Sequence, residues 1–268
     1  MDIHYDVVKS SYDVRDYKIE PYKEFPKEFS VKGLVPVKNQ RNKPTCTAHA
    51  LSSAVEYHYQ RQHNDYKEFS TEFIYGMREK DYYIGDGLTI RNGINTLYKY
   101  GDVFYEECQG NNDYERAMKN VNNRLGELQE LAYSHRISGY FKINTVEELK
   151  TALMKYGVVI VSMYTYKGDR LKDDVYTYDI DAKKNGAHCV FIYGWDERGW
   201  LVQNSWGKLY GWDGRFVIPF DFKFIEMWGI IDEIVENDIK KPKRNKLLNT
   251  IYKIINTIIN VLYKKVVI

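Results

Sequence analysis

The chain has 268 residues, with little cysteine and almost no net charge. Its three cysteines, Cys46, Cys108 and Cys189, are odd in number and too few for a disulfide framework. The first residues lack the apolar core of a secretory signal, and we find no apolar run of about 18 residues that would span a membrane. We therefore expect a cytoplasmic or otherwise reducing compartment, with a virion as an alternative.

The charges exclude further classes. Lys and Arg number 39 against 37 Asp and Glu, which is no general nucleic-acid signature, so we expect no nucleic-acid partner. The six histidines and three cysteines lack the paired spacing of zinc ligands. We therefore expect no metal and no cofactor. A hydrophobic fraction of 44% and an aromatic fraction of 15% are instead typical of a folded globular protein.

Helical patterns occupy the first half of the chain and strand patterns the second. Apolar spacing predicts a buried helix that begins at Cys46 with Thr45 as its N-cap. Four further segments have helical patterns: 70–78, 91–100, 113–133 and 145–156. Four apolar runs read as strands: 158–163, 188–193, 199–203 and 215–219. We therefore expect an α+β protein with a helical half, an antiparallel β half and a cleft between them.

Cys46 lies where the first predicted helix begins. The positive end of the helix dipole and the unpaired backbone N–H groups there favour a thiolate. A thiolate is nucleophilic, and catalysis then requires an imidazole, a group that orients the imidazole and donors for an oxyanion. On its own, a lone cysteine is more often a small buried hydrophobic residue.

Three other residues match those requirements. His188 opens an apolar strand and Asn204 ends the next one, so antiparallel pairing would place the Asn204 amide beside the His188 ring. Gln40 lies in the loop before Cys46 and would join the Cys46 backbone N–H as an oxyanion donor. His49 is the less favoured base, because its side chain projects back along the helix that carries Cys46.

Three motifs, in this order, resemble those of papain-like cysteine peptidases of the compact bacterial and viral type, with a cathepsin-like catalytic core. They are Pro36-Val37-Lys38-Asn39-Gln40, Gly186-Ala187-His188-Cys189-Val190 and Asn204-Ser205-Trp206-Gly207. The resemblance runs from about residue 25 to about residue 229. It implies a Cys46 nucleophile, a His188 acid/base, an orienting Asn204 and an oxyanion hole that includes Gln40.

The resemblance also implies which residues contact the substrate. Trp206 would cover the hydrogen bond between histidine and asparagine, and Tyr210 replaces a family tryptophan on the leaving-group side of the cleft. Gly87 and Leu88 fall where the family has a glycine-rich segment that binds the substrate backbone, and Leu88 replaces its second glycine. Ala187, directly before the histidine, completes the substrate-binding set.

These residues and the resemblance predict a cysteine endopeptidase that acts on a peptide or protein substrate. One alternative is a catalytically silent or permanently autoinhibited relative that serves as a binding module. Another is a transglutaminase-like enzyme, since acyl transfer from a cysteine uses the same groups. The complete set of four catalytic-type residues favours an enzyme, and the Asn204-Ser205-Trp206-Gly207 motif favours a peptidase.

The two ends of the chain lie outside the resemblance. We expect residues 1–24 to be a short leader that either covers the cleft or straps the surface, ahead of a peptidase domain over 25–236. Residues 237–246 form a basic linker. Residues 247–268 carry an apolar stripe at helical spacing, which predicts an amphipathic helix. We expect that helix to pack on its own domain, to mediate self-association or to contact a membrane surface.

Overall fold

A computed structural model describes residue 10 and residues 19–78, 87–108 and 114–232. The chain forms two compact units, Met1–Glu233 and Ile234–Ile268, and the second lies outside the described residues. The expected linker and amphipathic helix fall in that second unit, so self-association and membrane contact stay predictions. Within the described part, no helix has the length and apolar character needed to cross a membrane.

The described residues form six α-helices and two short 3₁₀ helices. The α-helices are α1 Cys46–His63, α2 Thr71–Gly76, α3 Ile90–Lys99, α4 Tyr114–Asn123, α5 Leu125–Ala132 and α6 Val146–Tyr156. The 3₁₀ helices are Tyr105–Cys108 and Tyr133–His135. The segment expected as one helix over 113–133 is thus two helices with a break at Arg124.

Local capping explains the start of some helices but not of α1. Thr145 and Glu148 form a reciprocal capping box at α6. Thr45 occupies the N-cap position of α1, but its side chain makes no capping hydrogen bond, so the expected cap is wrong in this respect. Every residue from Cys46 to His58 is buried. Tertiary packing therefore stabilises α1 in place of its cap.

The strands of the described residues all belong to one sheet. They are β1 Phe29–Ser30, β2 Gly139–Ile143, β3 Val159–Tyr166, β4 Arg170–Lys172, β5 Val175–Thr177, β6 Lys184–Asp196, β7 Gly199–Gln203, β8 Arg215–Ile218 and β9 Glu226–Ile231. Their order is β2-β9-β3-β6-β7-β8-β5-β4, and β1 pairs with β6. The neighbouring strands run antiparallel, apart from a short parallel contact between β5 and β8. A helical half and a largely antiparallel β half are thus both present, as expected.

Strand β6 is longer than the sequence predicts. The apolar run places its start at His188, whereas β6 begins at Lys184, so His188 lies inside the strand. The added residues pair with Tyr164, Thr165 and Tyr166 at the end of β3. This pairing uses backbone groups, and apolar periodicity does not report on backbone hydrogen bonds.

Two apolar layers cover the two faces of β6. Phe191 belongs to the layer that includes Leu51 of α1, whereas Ile192 belongs to the layer that includes Leu153 of α6. Side chains of successive strand residues point to opposite faces, which explains this division. Helix α1 is thereby packed directly on the strand that carries His188.

Candidate active site

The β half provides an imidazole and an amide in direct contact. His188 Nε2 lies 2.8 Å from Asn204 Oδ1, and both residues are buried. Strands β6 and β7 pair antiparallel with Phe191 opposite Gln203, and Asn204 directly follows β7. Because an amide oxygen only accepts hydrogen bonds, this contact puts the proton of the neutral ring on Nε2 and its lone pair on Nδ1.

Cys46, the first residue of α1, lies against the same strand. Burial raises the pKa of Cys46 to about 11, although backbone N–H groups of Cys189 and Thr47 hydrogen-bond to its sulfur and oppose the shift. Burial also lowers the pKa of His188 to about 4, against the effect of Asn204. The expected thiolate is therefore not the favoured form in this buried state, because desolvation outweighs the helix end.

Gln40 is buried at the same centre, and its side-chain amide is fixed at both ends. Its Oε1 accepts from Ser205 Oγ at 2.6 Å, and its Nε2 donates to the Lys43 carbonyl at 3.0 Å. Its backbone N–H donates to the Ser205 carbonyl at 2.8 Å. A primary amide has two N–H donors, so the contact with Lys43 fixes the direction of the second.

Ser205 joins the two amide side chains, a role that its place in the sequence does not predict. Its backbone N–H donates to Asn204 Oδ1 at 2.7 Å, and its hydroxyl donates to Gln40 Oε1. One residue therefore positions both the partner of His188 and the glutamine. The only sequence feature that could have indicated this role is its position in the motif Asn204-Ser205-Trp206-Gly207, because a serine next to an asparagine is not by itself a recognisable pattern.

Aromatic rings cover the imidazole. The ring of Trp206 stacks on that of His188 with centroids 4.5 Å apart and planes 24° apart, and Tyr210 meets Trp206 edge-on at 4.7 Å. Gly207 has a φ of +79°, and a Cβ there would lie 2.9 Å from Asn39 Nδ2. A glycine is therefore needed for the tryptophan loop to approach the segment that leads to Gln40.

The remaining expected substrate-binding residues surround the start of α1. Leu88 is 1% exposed in the apolar layer of α1, and its carbonyl accepts from Thr47 Oγ1 at 2.9 Å. Gly87 is buried beside it. Ala187 shares the apolar layer that includes Cys46. Because the Leu88 side chain lies in the core, its contact with a substrate would be through its backbone.

His49, the less favoured base, makes its hydrogen bond within its own helix. Nδ1 of His49 lies 2.9 Å from the Thr45 carbonyl on its own helix, and burial lowers the pKa of His49 to about 3. Within the described ranges, no cluster of three or more His, Cys, Asp or Glu side chains could hold a metal ion. Of His49 and His188, His188 is the one whose ring contacts Asn204, on the strand against which Cys46 lies.

Comparison with known proteins identifies the family. A family model described as papain family cysteine protease matches residues 25–234. The chain belongs to the papain family. Among solved structures, it is similar to xylellain, a cysteine protease from Xylella fastidiosa, at 21% identity and a TM-score of 0.73 over 87% of this chain and 97% of that one. It is also similar to procathepsin B S9 from Trypanosoma congolense, at 15% identity and a TM-score of 0.62 over 85% and 87%. The expected papain-like α+β fold is confirmed.

The relatives found by sequence match only part of each chain. An uncharacterized peptidase C1-like protein of Acanthamoeba polyphaga mimivirus is 25% identical over 66% of this chain and 62% of its own length. Cathepsin O of Homo sapiens is 27% identical over 66% of this chain and 55% of its own length. The chain thus spans less than two thirds of these relatives.

Proposed function

We propose that this papain-family protein is a cysteine endopeptidase with Cys46 as its nucleophile. The observation that carries the proposal is the buried His188–Asn204 hydrogen bond, covered by Trp206, beside the helix that begins at Cys46. Family membership supports the reaction class, and the chemistry of the four polar groups supports their roles.

The proposed reaction begins with transfer of the Cys46 thiol proton to His188 Nδ1. The sulfur attacks the carbonyl carbon of the scissile peptide bond, and the resulting imidazolium then protonates the leaving amine. The thioester is hydrolysed by a water molecule that His188 deprotonates. Asn204 acts by orienting the ring and by stabilising its charged form, since its amide oxygen faces Nε2.

The proposed oxyanion hole combines the Cys46 backbone N–H with the second N–H of the Gln40 side chain. Charge develops on the carbonyl oxygen only in the tetrahedral intermediate, so donors fixed in advance stabilise that state selectively. Gln40 meets this requirement because Ser205 and Lys43 determine the plane of its amide.

We also propose that the leader restrains the enzyme. Ser10 is buried, and its N–H and hydroxyl lie 3.3 Å and 3.1 Å from the two carboxylate oxygens of Glu226. Glu226 pairs with Ser162 on β3, which in turn pairs with Cys189 on β6. The leader is thus attached to β9, which only β3 separates from β6, the strand against which Cys46 lies. This proximity supports cleft covering over a remote strap.

The experiment compares the full chain with a chain lacking residues 1–18. Both are incubated with internally quenched peptides and then with an epoxysuccinyl thiol-protease inhibitor, and the adduct is located by peptide mass. We expect hydrolysis and an adduct on Cys46, with faster hydrolysis after the deletion. An adduct elsewhere, or hydrolysis by Cys46→Ala, contradicts the proposal. No hydrolysis by either chain, despite a Cys46 adduct, favours the silent relative.

The transglutaminase-like alternative requires a separate arm of this experiment. A labelled primary amine is added together with a glutamine-containing peptide. A peptidase releases a new amino terminus, whereas an acyl-transfer enzyme incorporates the amine without cleaving the chain. Amine incorporation that exceeds hydrolysis would replace the proposed reaction.

A further inference from the structure

The segment that leads to Gln40 contains a lysine whose side chain is largely buried. Nζ of Lys38 lies 2.7 Å from Glu56 Oε1, with 9% of the lysine side chain and none of the glutamate side chain exposed. The same Nζ lies 3.3 Å from the Phe69 carbonyl. Glu56 Oε1 also accepts from the Phe69 N–H at 2.8 Å. Both side chains of the pair therefore also hydrogen-bond to the backbone of Phe69, which lies just before α2.

This ion pair is poorly explained by stability alone. Removing two charges from water costs several kcal/mol per ion, and a packed apolar pair often replaces a buried ion pair without loss of stability. Burial raises the pKa of Glu56 to about 7 despite Lys38, which reflects that cost. A directional contact between two fixed charges does define one register between the segments that carry them.

The backbone of Lys38 belongs to the candidate active site. Its carbonyl accepts from the Gly207 N–H at 3.0 Å, and Asn39 forms an isolated bridge with Trp206. Two residues after Lys38, Gln40 makes its contacts with Ser205. The position of the Lys38 backbone therefore determines where the glutamine meets the tryptophan loop.

The side chain of Glu56 belongs to the helix of the nucleophile. Glu56 follows Cys46 by ten residues in α1, about 15 Å along the axis at 1.5 Å per residue. A helix buried along that length moves as one rigid element. A contact at Glu56 therefore constrains the distance between the Gln40 segment and the helix end at Cys46.

We infer that the buried Lys38–Glu56 pair positions the oxyanion donor, because it anchors the segment of Gln40 to the helix of Cys46. This inference rests on the proposed peptidase function. Lys38 and Glu56 touch no reacting atom, so both are positioning residues. They act by keeping the Gln40 amide in the orientation that the tetrahedral intermediate requires.

The test uses the double variant Lys38→Met/Glu56→Gln in the full chain. It leaves no unpaired buried charge, and glutamine retains the oxygen that accepts from Phe69, so we expect a melting temperature close to that of the unchanged protein. We expect kcat to fall at least tenfold with little change in KM. Alkylation of Cys46 by iodoacetamide needs no oxyanion hole, so its rate should not change.

Combining Gln40→Ala with the double variant distinguishes a positioning role of the ion pair from a purely structural one. A purely structural pair would leave the effect of Gln40→Ala on kcat unchanged. Loss of one oxyanion donor typically costs about 10²–10³ in rate. If Lys38 acts through Gln40, the cost of the same substitution in the double-variant background is smaller by the factor that the double variant itself costs, as a double-mutant cycle would measure. A full cost of Gln40→Ala in that background, or an unchanged kcat, overturns the inference.

The controls separate this inference from the proposed function. The matched pair Arg124→Gln/Glu127→Gln removes a surface ion pair in the helical half, with N–O distance 2.6 Å, and is expected to leave kcat unchanged. If the double variant does not fold, Lys38→Met alone is read in the same way, since Glu56 becomes neutral by protonation. Hydrolysis by Cys46→Ala overturns both proposals, whereas normal kcat in the double variant overturns only this one.

Discussion

The two halves of the molecule position their polar groups in different ways. In the β half, His188 and Asn204 meet because two strands adjacent in the chain pair antiparallel, with Phe191 opposite Gln203. In the helical half, Cys46 and Gln40 depend on contacts between segments that pair in no regular ladder, such as Ser205 with Gln40. Strand register is set by many backbone hydrogen bonds, whereas the helical half depends on a few buried side chains. We therefore expect a single side-chain substitution to displace Cys46 or Gln40 more easily than it displaces His188 or Asn204.

The largest effect should come from removing one chemical group from either half. Cys46→Ala removes the sulfur, and His188→Ala removes the group that carries the proton. Because these groups act as a unit, the loss of either one removes most of their joint effect, and we expect kcat to fall by at least about 10⁴ in each variant. Steady-state hydrolysis of a fluorogenic peptide measures this. Cys108→Ala is the control and should retain activity. A much smaller loss for His188→Ala would exclude it as the base.

Next in size is the loss of the oxyanion donor in the helical half. Gln40→Ala should lower kcat by about 10²–10³ or less, with the rate of Cys46 alkylation unchanged, because only the tetrahedral intermediate uses the amide. Ser205→Ala is the matched variant, and we expect it to act in the same direction because it removes the hydroxyl that fixes Gln40. Equal losses of alkylation and hydrolysis would point to a general disturbance of the site.

The orienting amide of the β half should matter less than its imidazole. A hydrogen bond to a charged group is worth about 1.5–3 kcal/mol, so Asn204→Ala should lower kcat by roughly 10- to 100-fold. The measurement is the pH profile of kcat/KM together with kcat. Because the bond with Asn204 raises the pKa of His188, its removal should move the imidazole limb of the profile to lower pH. A shift to higher pH would contradict this role.

The smallest expected effect concerns burial of the nucleophile by the leader. With a pKa near 11, Cys46 is almost entirely protonated at pH 7, and its alkylation should accelerate about tenfold per pH unit up to that value. Deleting residues 1–18 leaves the buried Ile19 in place. We expect this deletion to lower the pKa and raise the alkylation rate at pH 7 by about tenfold for each unit lost. If the deletion does not change the pH dependence of Cys46 alkylation, the leader does not contribute to the burial of Cys46.

Much of the candidate site could be predicted from the sequence, because Cys46 and Asn204 lie at the ends of predictable elements and three motifs resemble those of a known family. Cys46 begins a helix and Asn204 follows a strand, and apolar spacing predicts both elements. The resemblance to papain-like peptidases then implies their roles. The true start of β6, four residues before His188, could not be predicted, because it depends on backbone pairing with the end of β3. The linking role of Ser205 was likewise hidden, since it requires two distant segments to meet.

The sequence by itself determined the order of helices and strands and the residue types available for the chemistry, because both depend on local patterns of apolar and polar side chains. Only the tertiary structure decided the protonation state of the nucleophile. The start of α1 favours a thiolate, yet burial makes the neutral thiol of Cys46 the stable form. Tertiary structure also decided that Lys38 pairs with Glu56 of α1. Desolvation and long-range charge pairing depend on what surrounds a group, and that is known only once the chain has folded.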